Sequence, residues 1–324
     1  DSNTRIRGET RRARNTATLP ETADPAWLEH LMGLEIDIFW LTILMFGSLA
    51  ILLMAGLPLA FVTGGLACVF LFVFGDAQML NILPSRIFPL MTDYQLSAIP
   101  LFIFMASMLE RAGIIEELYD MVYKILGGLR GGLAISTIIA STLLAAMCGV
   151  IGATEVTMGM IALPAMMRRG YHPTIACGSI LAGGTLGILI PPSILAILFA
   201  VVAQQSVGEL FIGAVVPGLI LSGLYIAYIA IVTFFKPELG PALPVEERVD
   251  TQEKIRLLRK MAAPITLVAL VLGIIFAGIA TPVEAAGVGT FGAIVVASMH
   301  RRMNWENLRA AALTTLRVTG MVLW

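Results

Sequence analysis

Two interrupted stretches of apolar sequence carry the residues that could do chemistry in this chain. A helix leaves its last four carbonyl groups and its first four amide groups without a partner. A helix that stops inside a membrane therefore offers oxygens to cations and N–H groups to anions. The candidate oxygens belong to the following residues of the first and the second interruption: Gly149, Gly152, Ala153 and Thr154, and then Gly187, Pro191, Pro192 and Ser193. The pattern predicts ion binding, with helix bending for packing alone as the alternative.

Glu155 is the acidic residue that accompanies the first interruption. An ionisable side chain at membrane depth is a candidate for function, because it is costly to place there. The alternative is that Glu155 pairs locally or faces water. Glu284 stands at the start of a later apolar run, where we expect a carboxylate only to stabilise the helix N-terminus.

Composition indicates a membrane protein with several spans. Hydrophobic residues make up 58% of the chain and charged residues 13%, with a mean hydropathy of +0.88, whereas soluble domains carry about 25% charge. The net charge of −1 gives no reason to expect a nucleic-acid partner. Three cysteines lie in apolar runs, where we expect them to be buried, and three histidines are scattered without ligand spacing. An HExxH motif is absent from the sequence, so we do not predict an enzyme.

The elements that position the candidate residues are a hairpin and a broken helix. Apolar runs over 132–147 and 152–167 are each shorter than the ~20 residues of a spanning helix, so we expect a helical hairpin that enters the membrane and returns. The apolar run over 175–202 is interrupted at Gly187 and at Pro191-Pro192, because proline lacks the N–H that continues a helix. Two such interrupted segments in succession point to the binding site of a secondary transporter.

Further apolar runs predict spans, and basic residues orient them. The runs cover residues 38–56, 57–74, 96–109, 210–235, 263–280 and 282–299. An amphipathic segment over 110–129 is expected to lie along the membrane surface or to join rigid parts. Six basic residues place the loop over 236–260 in the cytoplasm, and one basic residue places the polar connection over 76–95 outside. The N-terminus is then outside, and the hairpin opens from the cytoplasmic side.

Five motifs resemble the large membrane (M) subunit of TRAP transporters, the tripartite ATP-independent periplasmic family. They read AIPLFIFMASML, ALPAMMRRGY, GGTLGILIPPSILAI, SVGELFIGAVVPGL and TPVEAAGVGTFGA, and the resemblance covers nearly all of residues 38–324. The hairpin tip of the family is often rich in serine, whereas this chain has Cys148-Gly149-Val150-Ile151. Backbone carbonyls, rather than hydroxyl groups, are therefore the ligands expected at the tip.

The resemblance implies an all-α polytopic protein of the bacterial inner membrane that works as an elevator-type transporter. It implies import of an organic acid, a carboxylate, driven by sodium. Expected partners are a small four-span membrane (Q) subunit and a periplasmic substrate-binding (P) protein. The predicted sodium ligands are Gly149, Ala153, Thr154, Gly187, Pro191, Pro192 and Ser193. The predicted substrate ligands are Gly152, Thr154, Glu155 and Ser193.

On this reading the chain divides into four regions. A polar tail over 1–37 precedes scaffold-type spans and the amphipathic connecting helix over 38–130. The transport-type hairpin and broken helix occupy 131–204, and further spans occupy 205–324. Transporters of this kind usually carry the broken hairpin twice, in inverted halves. We expect 263–299 and 305–316 to begin the second half, and the chain to be incomplete at Trp324.

Other functions stay open on the sequence. The nearest alternative is a sodium- or proton-coupled anion transporter of another elevator family that works without a binding protein. A purely structural membrane subunit is a further possibility. A channel is disfavoured, because no ring-forming repeat of acidic residues is visible in the sequence.

Overall fold

The computed structural model describes residues 37–74, 77–149, 151–242 and 251–323. These residues form fourteen α-helices and three short 3₁₀ helices, and no strand occurs among them. The prediction of an all-α polytopic fold is confirmed at this level. The polar tail predicted over 1–37 lies almost wholly outside the described residues.

The described residues form two compact units, which are divided between residues 91 and 92. In the first unit, helices α1 (Ile38–Met54) and α2 (Leu59–Phe74) pack against each other, and α3 (Ile82–Met91) follows a 3₁₀ turn at Ala77–Asn81. The polar connection predicted over 76–95 thus contains helical elements. Proline fits the first turn of a helix without losing a hydrogen bond, which explains how Pro84 is accommodated near the start of α3.

The second unit contains the remaining helices. In chain order these are α4 (Ala98–Arg111), α5 (Ile114–Leu126), α6 (Gly132–Cys148), α7 (Ile151–Arg168), α8 (Pro173–Leu189), α9 (Ile194–Ala203), α10 (Val207–Phe235), α11 (Thr251–Lys260), α12 (Ala262–Phe276), α13 (Pro282–Met299) and α14 (Trp305–Leu323). Helix α8 packs against both α6 and α7, whereas α13 and α14 pack against α4. The core of this unit therefore has two parts, one around the hairpin α6–α7 and α8 and one around α4.

Three stretches of the described residues are long and apolar enough to cross a membrane. They are Pro173–Ala203, counted through its break, Val207–Phe235 and Pro282–Met299, with 31, 29 and 18 residues. At 1.5 Å per residue the two unbroken helices are about 44 and 27 Å long, against a hydrocarbon core of about 30 Å. Helix α10 exposes Phe234 and Phe235 by 69% and 76%, which agrees with a lipid-facing surface.

Helix ends follow the local sequence closely in two places. Thr281 caps α13, and its N–H donates to the Glu284 carboxylate at 2.8 Å while the Glu284 N–H donates to the Thr281 hydroxyl at 3.3 Å. This capping box confirms the prediction that Glu284 stabilises a helix start. The loop predicted over 236–260 is partly helical, because it contains the 3₁₀ turn Pro237–Leu239 and α11. Cys68 and Cys177 are exposed, so the prediction that they are buried is wrong.

Candidate ion and substrate site

The hairpin tip is closed by a glycine whose conformation other residues adopt only with strain. Gly149 ends α6 with φ = +61°, and its N–H donates to the Ala145 carbonyl at 3.1 Å. A Cβ atom placed on Gly149 would overlap the carbonyl oxygen of Pro192, and it would lie 3.1 Å from the Pro192 carbonyl carbon. Glycine is therefore needed both for the left-handed turn and for the close approach of the two backbones.

A backbone hydrogen bond joins the hairpin tip to the break in the long helix. The Ile194 N–H donates to the Gly149 carbonyl at 3.4 Å. Ser193 caps α9, where its hydroxyl accepts from the Ala196 N–H at 3.4 Å. The C-terminus of α6 thus meets the N-terminus of α9. The two interruptions predicted from the sequence lie in direct contact.

The break itself is made by the two prolines. Ile190 follows α8 in an extended conformation, and its N–H donates to the Leu186 carbonyl at 2.8 Å. The next donors up the helix would be the N–H groups of Pro191 and Pro192, which do not exist. The carbonyls of Gly187 and Ile188, in the last turn of α8, therefore receive no N–H from the residue four positions further along the chain. Both prolines and Ser193 are buried.

Gly187 does not interrupt the helix as predicted. It is a buried residue inside α8, which runs to Leu189. A glycine in a helix lowers stability by only about 1 kcal/mol, which packing readily offsets, whereas a double proline removes two donors. Gly187 therefore does not make the break, and its carbonyl oxygen lies one turn before Pro191.

Two adjacent glycines on α8 let the hairpin helices approach closely. A Cβ on Gly183 would lie 2.5 Å from the Ser141 hydroxyl of α6, and a Cβ on Gly184 would overlap the Glu155 side chain of α7. Small residues at helix interfaces are the usual route to such close packing in membranes. The half-buried Glu155 side chain consequently lies beside Gly184, about two turns before the break.

The remaining candidates lie in the first turn of α7. Thr154 is 2% exposed, and Gly152 is exposed with no atom within 4 Å of a Cβ placed there. Ala153 belongs to the same turn. The structure thus joins Gly149, Pro192 and Ser193 directly, and it places Glu155 against α8.

Sequence reasoning missed a line of hydroxyl side chains along α6. Ser136 and Thr137 are buried and donate to the Gly132 and Leu133 carbonyls at 2.7 and 2.9 Å. Thr142 lies 2.8 Å from the Ser222 hydroxyl of α10. The two Ser-Thr pairs of α6, at 136–137 and 141–142, were the available signal. The Thr142–Ser222 contact links the hairpin to α10 without burying charge, whereas Ser136 and Thr137 bond within α6 itself.

A second cluster missed by the sequence holds the base of the hairpin. The Gly131 N–H donates to the Gly240 carbonyl at 2.9 Å, and the Leu133 N–H donates to the Tyr171 hydroxyl at 3.2 Å. A Cβ atom placed on Gly131 would lie 2.6 Å from the Thr233 hydroxyl oxygen. Burial raises the pKa of Tyr171 to about 12. The start of α6, the α7–α8 turn and the end of α10 are therefore tied together.

These features define a class of protein, an all-helical multi-pass membrane protein in which a hairpin tip meets a broken helix. Comparison with known families is more specific. Residues 46–324 match the family described as the tripartite ATP-independent periplasmic transporter, DctM component. The chain belongs to this family, as its motifs predicted.

Several curated relatives are large permease proteins of such transporters. The chain is 35% identical over 243 residues to the C4-dicarboxylate TRAP transporter large permease protein DctM of Pseudomonas aeruginosa, covering 75% of this chain and 56% of the relative. It is 31% identical to the ectoine/5-hydroxyectoine TRAP transporter large permease protein UehC of Ruegeria pomeroyi over 86% of this chain and 64% of the relative. It is 30% identical to the isethionate TRAP transporter permease protein DctMQ of Oleidesulfovibrio alaskensis over 86% and 43%. The chain therefore spans roughly half the length of these relatives.

Proposed function

We propose that this protein is the large membrane subunit of a sodium-coupled secondary transporter that imports a carboxylate across the bacterial inner membrane. The observation that carries the proposal is the contact between the Gly149 carbonyl and the Ile194 N–H. This contact brings the hairpin tip and the broken helix together. Irregular backbone within the membrane is tolerated only where it is buried in protein or lines a cavity.

Sodium is assigned to the oxygens around this contact. A hard cation prefers carbonyl and hydroxyl oxygens. The Gly149 carbonyl has two lone pairs, of which the Ile194 N–H uses one. The Gly187 carbonyl lacks its helical donor because Pro191 has no N–H. The hydroxyls of Ser193 and Thr154 and the carbonyls of Ala153, Pro191 and Pro192 complete the proposed set.

The carboxylate is assigned to the helix starts at the same place. Helices α7 and α9 begin at Ile151 and Ile194, and helix N-termini favour anions. Gly152 and Thr154 belong to the first turn of α7, and Ser193 caps α9. Glu155 would repel a carboxylate in direct contact, so we assign it to the cationic side of the site. There its negative charge favours sodium.

The hairpin and broken helix are proposed to move as one body in an elevator-type motion. Their contacts at the tip, at the Gly183-Gly184 pair and at the hairpin base favour such a body. A periplasmic binding protein would deliver the substrate, and a small membrane subunit would complete the transporter. The isethionate relative carries the name DctMQ, with the letters M and Q in one permease protein, and this supports a small membrane (Q) subunit as a partner.

Reconstitution tests the proposal. The complete permease, its small subunit and its binding protein are placed in proteoliposomes, and uptake of a labelled C4-dicarboxylate is measured with and without an inward sodium gradient. We expect uptake only with the gradient and the binding protein. Ser193→Ala should raise the sodium concentration for half-maximal uptake several-fold, because one ligand and one helix cap are lost. Equal uptake without sodium, or without the binding protein, contradicts the proposal.

A further inference from the structure

An apolar groove runs between α8 and α10 on the side away from the break. Its volume is about 560 Å³, and its lining includes Gly178, Ser179 and Ala182 of α8 and Leu221 and Leu224 of α10. A second cavity of about 470 Å³ continues it towards the end of α10. The two share Thr174, Ile175 and Tyr228 as lining residues, so they form one channel along the pair of helices.

The depth of the groove follows from the residue types of its two walls. Helix α8 contributes small side chains, and nothing lies within 4 Å of a Cβ placed on Gly178. Helix α10 contributes large apolar side chains that stand out from the surface, with Leu224 and Tyr228 exposed by 60% and 63%. A narrow apolar occupant would be covered on both sides.

The length of the groove matches one leaflet of a bilayer. From Leu221 to Lys236 the helix rises about 22 Å at 1.5 Å per residue. Half of a hydrocarbon core of about 30 Å, together with one headgroup layer, amounts to roughly 20–22 Å. At the inner end, the hydroxyls of Thr185 and Tyr225 approach to 3.4 Å across the two helices. The groove is therefore closed near mid-membrane.

The end of the groove at the membrane surface, near the end of α10, carries positive and hydrogen-bonding groups. Lys236 is exposed at the end of α10 and lines the second cavity, and it forms no ion pair with a residue that the structure describes. His172 also lines this end, and its Nδ1 accepts from the Thr174 N–H at 3.3 Å. The His172 proton is consequently left on Nε2, which can donate. This end suits a phosphate group.

We propose that the groove holds one acyl chain of a phospholipid whose phosphate is bound by Lys236 and His172. An apolar groove one leaflet long with a cationic end fits such a lipid. A transmembrane helix of a partner is about 10–12 Å wide and crosses both leaflets, whereas this groove stops at the Thr185–Tyr225 contact. The lipid fills the space that Gly178 leaves and steadies α8 against α10. This site is separate from the proposed sodium and carboxylate site.

Photolabelling tests the acyl-chain part of the proposal. The complete permease is reconstituted in vesicles that contain a phospholipid with a photoreactive diazirine in its acyl chain, and labelled peptides are identified by mass spectrometry. We expect labelling of α8 and α10 around Ala182 and Leu224. Gly178→Leu should reduce it at least fivefold by filling the groove. Gly213→Leu is the matched control, because Gly213 is exposed on α10 with nothing within 4 Å of its Cβ.

Native mass spectrometry of the detergent-purified permease tests the headgroup part. Lys236→Gln should reduce the retained phospholipid several-fold, whereas Lys124→Gln on α5 should not. Equal photolabelling of the wild type and Gly178→Leu overturns the proposal. So does disulfide formation between a cysteine at Ala182 and the small subunit in native membranes, because that result makes the groove a protein interface. Gel filtration checks that Gly178→Leu folds, and Ala182→Leu provides a second groove-filling variant with the same expected loss.

Discussion

Replacing Gly149 by alanine tests the contact on which the proposed site depends. A left-handed conformation costs a residue other than glycine about 1–2 kcal/mol. The new Cβ would overlap the Pro192 carbonyl oxygen, and forcing extra atoms into a packed site typically costs about 1–3 kcal/mol. The tip would then close onto the break with a penalty of about 2–5 kcal/mol. At about 1.4 kcal/mol for each tenfold change, the closed population falls by a factor of about 30 to a few thousand.

The assay is the initial rate of sodium-driven uptake by the complete transporter in proteoliposomes. Gly149→Ala should reduce this rate at least 30-fold while gel filtration shows an intact protein. Gly149→Asn separates the two causes, since asparagine tolerates the left-handed region but keeps the Cβ. Gly159→Ala in α7 is the control, because nothing lies within 4 Å of a Cβ there. Uptake by Gly149→Ala within twofold of the wild type, with unchanged sodium dependence, would refute the reasoning.

Three further predictions concern other parts of the fold. Gly183→Val should separate α8 from α6 and abolish uptake while membrane insertion persists, as measured by uptake and by the amount of protein in the membrane. Tyr171→Phe should lower the melting temperature, because the Leu133 N–H loses its acceptor at a cost of about 1–3 kcal/mol. Since burial raises the Tyr171 pKa from 10.0 to about 12, the wild type should lose stability as the pH rises from 10 to 12, and Tyr171→Phe should lose less. Cysteines introduced over 77–91 should react with an impermeant thiol reagent added from the periplasmic side, whereas cysteines introduced over 236–242 should not react. The reverse labelling pattern would overturn the predicted orientation.

The sequence predicted those parts of the fold that depend on local composition. The hairpin helices α6 and α7 and the break after α8 follow from apolar run length and from the missing N–H groups of Pro191 and Pro192. The contact between Gly149 and Ile194 could not be read from the sequence, because it joins residues 45 positions apart through backbone atoms. Gly187 was misjudged because a packed helix tolerates a glycine.

The geometry at the tip also bears on how such a site could bind and release an ion. The Ile194 N–H to Gly149 carbonyl distance of 3.4 Å is longer than the usual 2.7–3.2 Å of an N–H···O bond, so this contact holds the tip to the break weakly. The αL glycine nevertheless fixes the direction of the carbonyl. An ion that binds both the Gly149 and the Gly187 oxygens would add a second link between hairpin and broken helix, and it would favour the state in which they are joined. A ligand shifts an equilibrium only by its differential affinity for the two states. In the proposed site, a weak direct contact combined with oxygens from both sides would provide that difference, whereas a strong direct contact would keep the joined state populated without the ion and remove the coupling.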